Sequence, residues 1–226
     1  MLFAAAPEAQ GEDGYRLWLR YDQLPAPALT RYRTQVSEIV VSGKSATLAA
    51  LRAELVSACT GLLGSPVPSG VEVNRDGAVV AGTPQSSPFI KSLRWETQLT
   101  RLGPEGFRIR SVKRGSHSIT VIAANGEIGV LYGAFHFLRL MQTLQPIDNL
   151  DVSEKPRLQL RVLDHWDNLD GSIERGYAGR SLWDWQALPE KVDPRLRDYA
   201  RANASVGING STLNNVNANA QILTPD

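Results

Sequence analysis

The chain has 226 residues, 42% of them hydrophobic and 21% charged, and 24 Lys and Arg against 23 Asp and Glu give a formal charge of +1. This is the composition of an ordinary globular protein of one large or two small domains, which excludes a disordered chain. The even charge excludes the basic face of an electrostatic nucleic-acid binder, and the single cysteine, Cys59, has no partner for an intrachain bridge or a Cys-based metal site.

In chain order, residues 1–10 (MLFAAAPEAQ) read either as the end of a signal peptide whose charged start is missing or as a plain terminus. No window approaches the roughly 18 consecutive apolar residues of a membrane span, so none is expected. Residues 15–21 (YRLWLRY) alternate apolar and polar, which predicts a half-buried strand, and a second short strand follows at 38–41. Over 47–63, Leu48, Leu51, Leu55, Val56 and Leu62 recur at helical spacing, with Gly61 and Gly64 where the helix would end. Cys59 lies in this pattern as a small buried hydrophobe. Residues 77–82 (GAVVAG) predict a buried strand and 87–102 a second helix. A hairpin follows, 106–112 and 118–123 around the turn-rich RGSH, with Phe107, Ile109, Ile119 and Val121 alternating. Ile128, Leu131, Phe135, Leu138 and Met141 then define a helix over 127–144 that packs on the sheet. Gly126, Gly129 and Gly133 match neither GxGxxG nor a Walker loop, and close helix-to-sheet packing accounts for them. Residues 11–146 thus read as a mixed α/β sandwich domain.

Residues 146–156 (PIDNLDVSEKP) are polar, with a proline at each end, and read as a linker, so the divisions are 11–146, a linker at 147–157, and 158–226. In the last part, 158–163 predicts a strand running into DHWDNLD. Residues 194–206 predict a helix capped by Asp193 with Pro194 first, Leu196, Tyr199 and Ala200 sharing a face, and 208–213 predicts a second strand ending in NNVNAN. This is one βα unit plus the next strand, the repeat of a (β/α)₈ barrel. In such a barrel the C-terminal strand ends meet at one mouth. Asp164, His165, Trp166, Asp167 and Asn168 would gather there with Asn214, Asn215, Val216 and Asn217. Amides and carboxylates beside a flat indole suit a sugar, although polar residues at strand ends also serve as plain turn formers. Asp164, Asp167, Asp170 and Glu174 offer carboxylates for glycoside hydrolysis, but spacing sets neither their separation nor their orientation. His165 has no metal-ligand neighbours and reads as a structural or substrate-bonding residue, and neither metal nor cofactor is expected. The sequons at Asn203 and Asn209 fall in a helix and a strand, where glycosylation is not expected.

Four stretches together resemble the family 67 glycoside hydrolases, the α-glucuronidases: EDGYRLWLRY at 12–21, VIAANGEIGVLYGAFHFLRLMQT at 121–143, LDHWDNLDGSIERGYAGRSLW at 163–183 and SVGINGSTLNNVNA at 205–218. The resemblance implies an N-terminal domain like the accessory domain of β-hexosaminidases, followed by the first strands of a truncated (β/α)₈ TIM barrel. It implies inverting removal of (4-O-methyl-)D-glucuronic acid from glucuronoxylan-derived oligosaccharides, in the periplasm or outside the cell, or alternatively in the cytoplasm, and it allows a homodimer of the full-length enzyme. Trp166 would stack on the uronic acid ring and Val216 meet the 4-O-methyl group, with Asn215, Asn217, Asn168 and His165 lining the pocket. The family's general acid, its base carboxylates and its uronate-binding cations lie on later strands, so these 226 residues alone are expected to be inactive. Two rival readings remain: a non-catalytic carbohydrate-binding module using Trp166, Trp183 and Trp185, and a hexosaminidase-like glycosidase.

Overall fold

The computed structural model describes residues 13–213 and residue 220. Its elements are α1 (Ala26–Gln35), β1 (Glu38–Val41), α2 (Ala46–Leu63), β2 (Ser69–Gly70), β3 (Ala78–Gly82), α3 (Pro88–Ser92), α4 (Glu96–Arg101), β4 (Phe107–Arg114), β5 (His117–Ala124), α5 (Glu127–Gln142), β6 (Asp151–Glu154), β7 (Val162–Asp164), α6 (Pro194–Ser205) and β8 (Gly210–Thr212).

Six strands form one mixed sheet in the order β2-β1-β3-β5-β4-β6. β2, β1, β3 and β5 run parallel, while β4 is antiparallel to both β5 and β6. The two-residue side-chain period divides the strands between two cores. Val79, Ala81, Ile122 and Ala124 face the layer that holds Leu51, Leu55, Phe137 and Leu138 of α2 and α5. Val80, Ile119, Val121 and Ala123 face Ile90, Trp95 and Leu99 around α3 and α4. Ser45 caps α2 by accepting the Leu48 amide at 3.1 Å. A Cβ on Gly129 would meet the Gly106 carbonyl at 2.5 Å and one on Gly133 the Ile122 methyl at 2.8 Å, so the lack of side chains lets α5 lie directly on the sheet. α2 spans 18 residues with mean hydropathy 1.3, enough by length and composition to cross a membrane. Here Leu48, Leu51, Leu55, Ala58, Cys59 and Leu62 are buried in the core.

Several expectations change. Residues 15–21 form no strand: the Leu17 amide bonds back to Gly14 and the Leu19 amide to Arg16, and Leu17 and Tyr21 take positive φ of 51° and 55°. The segment is a strap over α2, closest where a Cβ on Gly61 would meet the Tyr21 carbonyl at 2.5 Å; Gly61 thus lies inside α2, which ends at Leu63 before Gly64. α1, which begins at a proline-rich stretch, was not foreseen in the pattern. The helix expected over 87–102 is split in two by Arg94, whose φ is 57°. Ile128 is exposed at the first turn of α5 rather than in its packing face. Within 146–156, Asp151–Glu154 is a strand, paired along one side only with β4.

β7 and β8 make a separate parallel pair, Leu163 opposite Ser211 and Asp164 opposite Thr212, with α6 as the crossover. The regular pairing of β7 begins only at Val162, leaving Leu158 and Leu160 exposed. Asp193 caps α6, accepting the Arg195 amide at 2.8 Å, with Pro194 as its first residue. Leu196 and Tyr199 are half-buried, whereas Ala200 is exposed on a different side of the helix, along a groove shared with Arg197, Ala204 and α2. At 100° per residue, positions 199 and 200 cannot both face the strands. α6 packs on α5 through Ala202 and Ala204, and polar contacts join it to the first unit. The Trp18 indole donates to Ser205 Oγ at 2.8 Å, and Arg139 to the Ser205 carbonyl at 2.8 Å.

A candidate carbohydrate site at the ends of two parallel strands

Alternation along β7 assigns its side chains to two faces. Leu163 and His165 share one face with Ser211, which lies directly opposite Leu163 on β8. That face meets α6: His165 Nε2 lies 2.6 Å from the Tyr199 hydroxyl, which lies 2.7 Å from Ser211 Oγ. Asp164 and Trp166 occupy the other face, where the Trp166 indole donates to Asp164 Oδ2 at 3.2 Å and the ring remains 39% exposed. The ladder continues one step past β7, since the His165 amide donates to the Thr212 carbonyl at 2.9 Å. Trp166 therefore sits at the C-terminal edge of the pair with an accessible ring beside a carboxylate, the pairing a hydroxylated ring recognises.

The loop after Trp166 folds back on itself. Asp167 pairs in an isolated bridge with Ile173, and Ser172 with Arg180. The Asn168 side-chain amide donates to Ser172 Oγ at 3.0 Å and to the Glu174 carbonyl at 2.8 Å, so both amide hydrogens hold the turn. Asp170 accepts from the Ser172 hydroxyl and amide, which holds its carboxyl below the usual range. Asp167 is buried, 2% exposed, and accepts a hydrogen bond from Ser181. The Trp183 amide in turn donates to Ser181 Oγ at 2.9 Å. His165, Trp183 and Tyr199 stack edge to face with centroids 5.4 to 6.0 Å apart. Trp183 thus packs edge-on against His165 and Tyr199, and both it and Trp185 are half-buried. Both indole N–H groups, of Trp183 and Trp185, are buried without a hydrogen-bond partner among the described residues. They border a cavity of about 450 Å³ shared with Arg180, Asp184, Gln186 and Arg195.

The structure brings Trp166 together with Asp164, turns His165 to the opposite face of β7 against α6, and commits the Asn168 amide to the turn, while Asn214, Asn215, Val216 and Asn217 lie outside the described residues. Tyr199 was read in the sequence only as part of a helix face, and Ser181 and Ser211 were not singled out. Tyr199 had a signal, since it falls on the strand-facing side of a crossover helix beside two strand ends. Among the described residues no three His, Cys, Asp or Glu side chains converge on a metal position.

A model described as "Glycosyl hydrolase family 67 N-terminus" matches residues 17–137, and one for the family's middle domain matches 140–226. A probable α-glucuronidase A of Aspergillus terreus is 34% identical over 216 residues, 95% of this chain and 25% of that protein. The α-glucuronidase of Hypocrea jecorina is 33% identical over 239 residues, 99% of this chain and 27% of its own. The chain thus spans about a quarter of the length of these relatives. Among solved structures, a GH138 enzyme targeting pectin rhamnogalacturonan II superposes on 79% of this chain and 19% of its own, with a TM-score of 0.51 and 17% identity, a likeness of fold alone. With one family's models covering both units, the chain belongs to glycosyl hydrolase family 67.

Proposed function

We propose that the protein to which this chain belongs is a xylan-degrading α-glucuronidase. The observation that carries the reading is the identity of 31 to 34%, over nearly the whole chain, to relatives named α-glucuronidase. In the finer version, the enzyme cleaves the α-1,2 link between (4-O-methyl-)D-glucuronic acid and the terminal xylose of xylo-oligosaccharides, with inversion. Trp166 stacks on the uronic acid ring, Val216 meets the 4-O-methyl group, and Asn215 and Asn217 line the pocket. The accessible Trp166 ring beside Asp164 at a strand end supports that role. An inverting hydrolase needs an acid and a base roughly 6.5 to 9.5 Å apart across the scissile bond. In the described part of the site, Asp167 is committed to Ser181 and Asp170 to Ser172, which supports catalytic groups supplied by other barrel strands and a 226-residue piece that is inactive alone. The leader-like letters of residues 1–10 favour a periplasmic or extracellular site of action over the cytoplasm.

The test is proton NMR of aldouronic acid hydrolysis by the full-length protein. Release of β-configured glucuronic acid is expected, with Trp166→Ala lowering kcat/KM at least tenfold through the lost stacking. No release of uronic acid, or release with retained configuration, overturns the reading.

A further inference from the structure

The loop that follows Trp166 carries, among the described residues, the most exposed large apolar side chain, Tyr177, at 76%. Its backbone is nonetheless held. Asp167 pairs antiparallel with Ile173, and Ser172 with Arg180, which closes residues 173–179 into a compact tip. Gly176 and Gly179, at φ of 93° and 99°, turn the chain on either side of Tyr177 and Ala178, a conformation that a side chain would strain. By the register of the first bridge, Glu174 lies directly across from Trp166, and its amide donates to the Trp166 carbonyl at 2.8 Å. Glu174 takes a φ of 58°, uncommon for a residue with a side chain, and its carboxylate accepts a hydrogen bond from the Tyr177 hydroxyl. A single residue therefore ties the outer end of the Tyr177 ring to the strand end that bears Trp166, while the face of that ring stays in water.

We infer that Tyr177 is a platform for the xylose units that follow the uronic acid ring, and so a determinant of the enzyme's preference for chain length; the inference rests on the α-glucuronidase reading above. Glu174 and Tyr177 are three residues apart, so their Cα atoms are separated by at most about 11 Å. That span is within reach of a short oligosaccharide whose first ring lies on Trp166. The chemistry selected is a neutral pyranose. Xylose has no exocyclic carbon, so the C–H groups of its ring lie open to a flat aromatic face, and an uncharged phenol offers such a face. Because the hydroxyl is engaged by Glu174, binding draws on the ring rather than on the phenol oxygen. The same bond holds the ring in place before the sugar arrives, which lowers the entropy lost on binding.

The experiment is steady-state kinetics of the full-length enzyme on the short aldobiouronic acid and the longer aldotetraouronic acid, with melting temperature recorded for every variant. The wild-type enzyme is expected to favour the longer substrate in kcat/KM, and Tyr177→Ala to cut that preference about fivefold, mainly through KM, for the loss of one stacking contact. Tyr177→Phe keeps the face and loses only the bond to Glu174, so its preference should stay within about twofold of wild type. Both substitutions fall on a side chain largely in water, so folding should tolerate them. An unchanged preference in Tyr177→Ala, with or without a lower melting temperature, overturns this inference and leaves the functional reading intact. So does an equal loss in Tyr177→Phe and Tyr177→Ala, or an active wild-type enzyme that treats both substrates alike. A wild-type enzyme inactive on aldouronic acids overturns both.

Discussion

The two units of this molecule are held by different physics. The six-stranded sheet is covered on both faces: α2 and α5 lie on one, α3 and α4 on the other, and Leu51, Leu55, Val79, Val80, Val121 and Phe137 have no exposed surface. The β7–α6–β8 unit leaves Val162 and Leu163 about 40% exposed on the strands themselves. It holds its place through polar contacts with the first unit. Arg201 grips both oxygens of Glu54 at 2.7 and 2.9 Å, Tyr21 donates to the same carboxylate, and Arg161 reaches Glu105 at 2.8 Å. A sandwich supplies its own solvent-free interior, whereas one βα unit of a barrel has strand faces that only further strands can cover. The candidate site sits on the second, more exposed unit, which the first unit's polar contacts hold in place.

The largest expected effect breaks the comparison on the side of the closed core. Leu55→Ala should cost about 4 kcal/mol of unfolding free energy, from lost transfer energy and the cavity left between α2 and the sheet. Leu160→Ala, at a residue 72% exposed, should stay within about 0.5 kcal/mol. Urea denaturation of the 226-residue chain measures both, and equal losses would contradict the contrast. Next is the joint itself. Glu54→Ala strands Arg201 and the Tyr21 hydroxyl in a largely buried setting and should cost about 3 kcal/mol, felt mainly as loosening of α6. Hydrogen exchange should show α6 amides losing protection while β3 and β5 keep theirs. Uniform loss across both units would mean the contacts do not form a separable joint.

What could be read from the letters follows the same division. Wherever burial on one face dictated the residues, the period was legible: the α2 and α5 stripes and the β3, β4 and β5 runs lie within a few residues of their expected places. Residues 15–21 carry a strand's alternation without a strand, because Leu19 and Tyr21 are buried against helices and no neighbour offers a ladder. Asp151–Glu154 is a strand without a strand's letters, since an edge needs only backbone pairing on one side and its polar side chains stay in water. At the site, the alternation that separates His165 from Trp166 was present in LDHW, yet which face meets a helix depends on the crossover. The Tyr199 bond to two strands 12 and 34 residues away is a tertiary fact that no local pattern carries.

The smallest expected effect distinguishes the units by the sign of their response to pH. Burial pushes the Cys59 thiol up to about 12 from 9.0, and a group whose folded value is raised stabilises fully below its unfolded value and loses that contribution as pH rises. The α2 core should therefore weaken from pH 9 upward, and Cys59→Ala should flatten that decline. Asp193 moves the other way. The Arg195 amide, then the Arg195 side chain, hold its carboxyl below 3.8, so its support of α6 is complete above that value and fades as pH falls beneath it. Asp193→Asn keeps a capping oxygen without the titration and should remove the acid sensitivity of α6 alone. Exchange protection of α2 and α6 amides across the pH range decides the matter. An α6 that frays first in alkali, or an α2 that weakens only in acid, would show that the two units do not differ in the way their packing dictates.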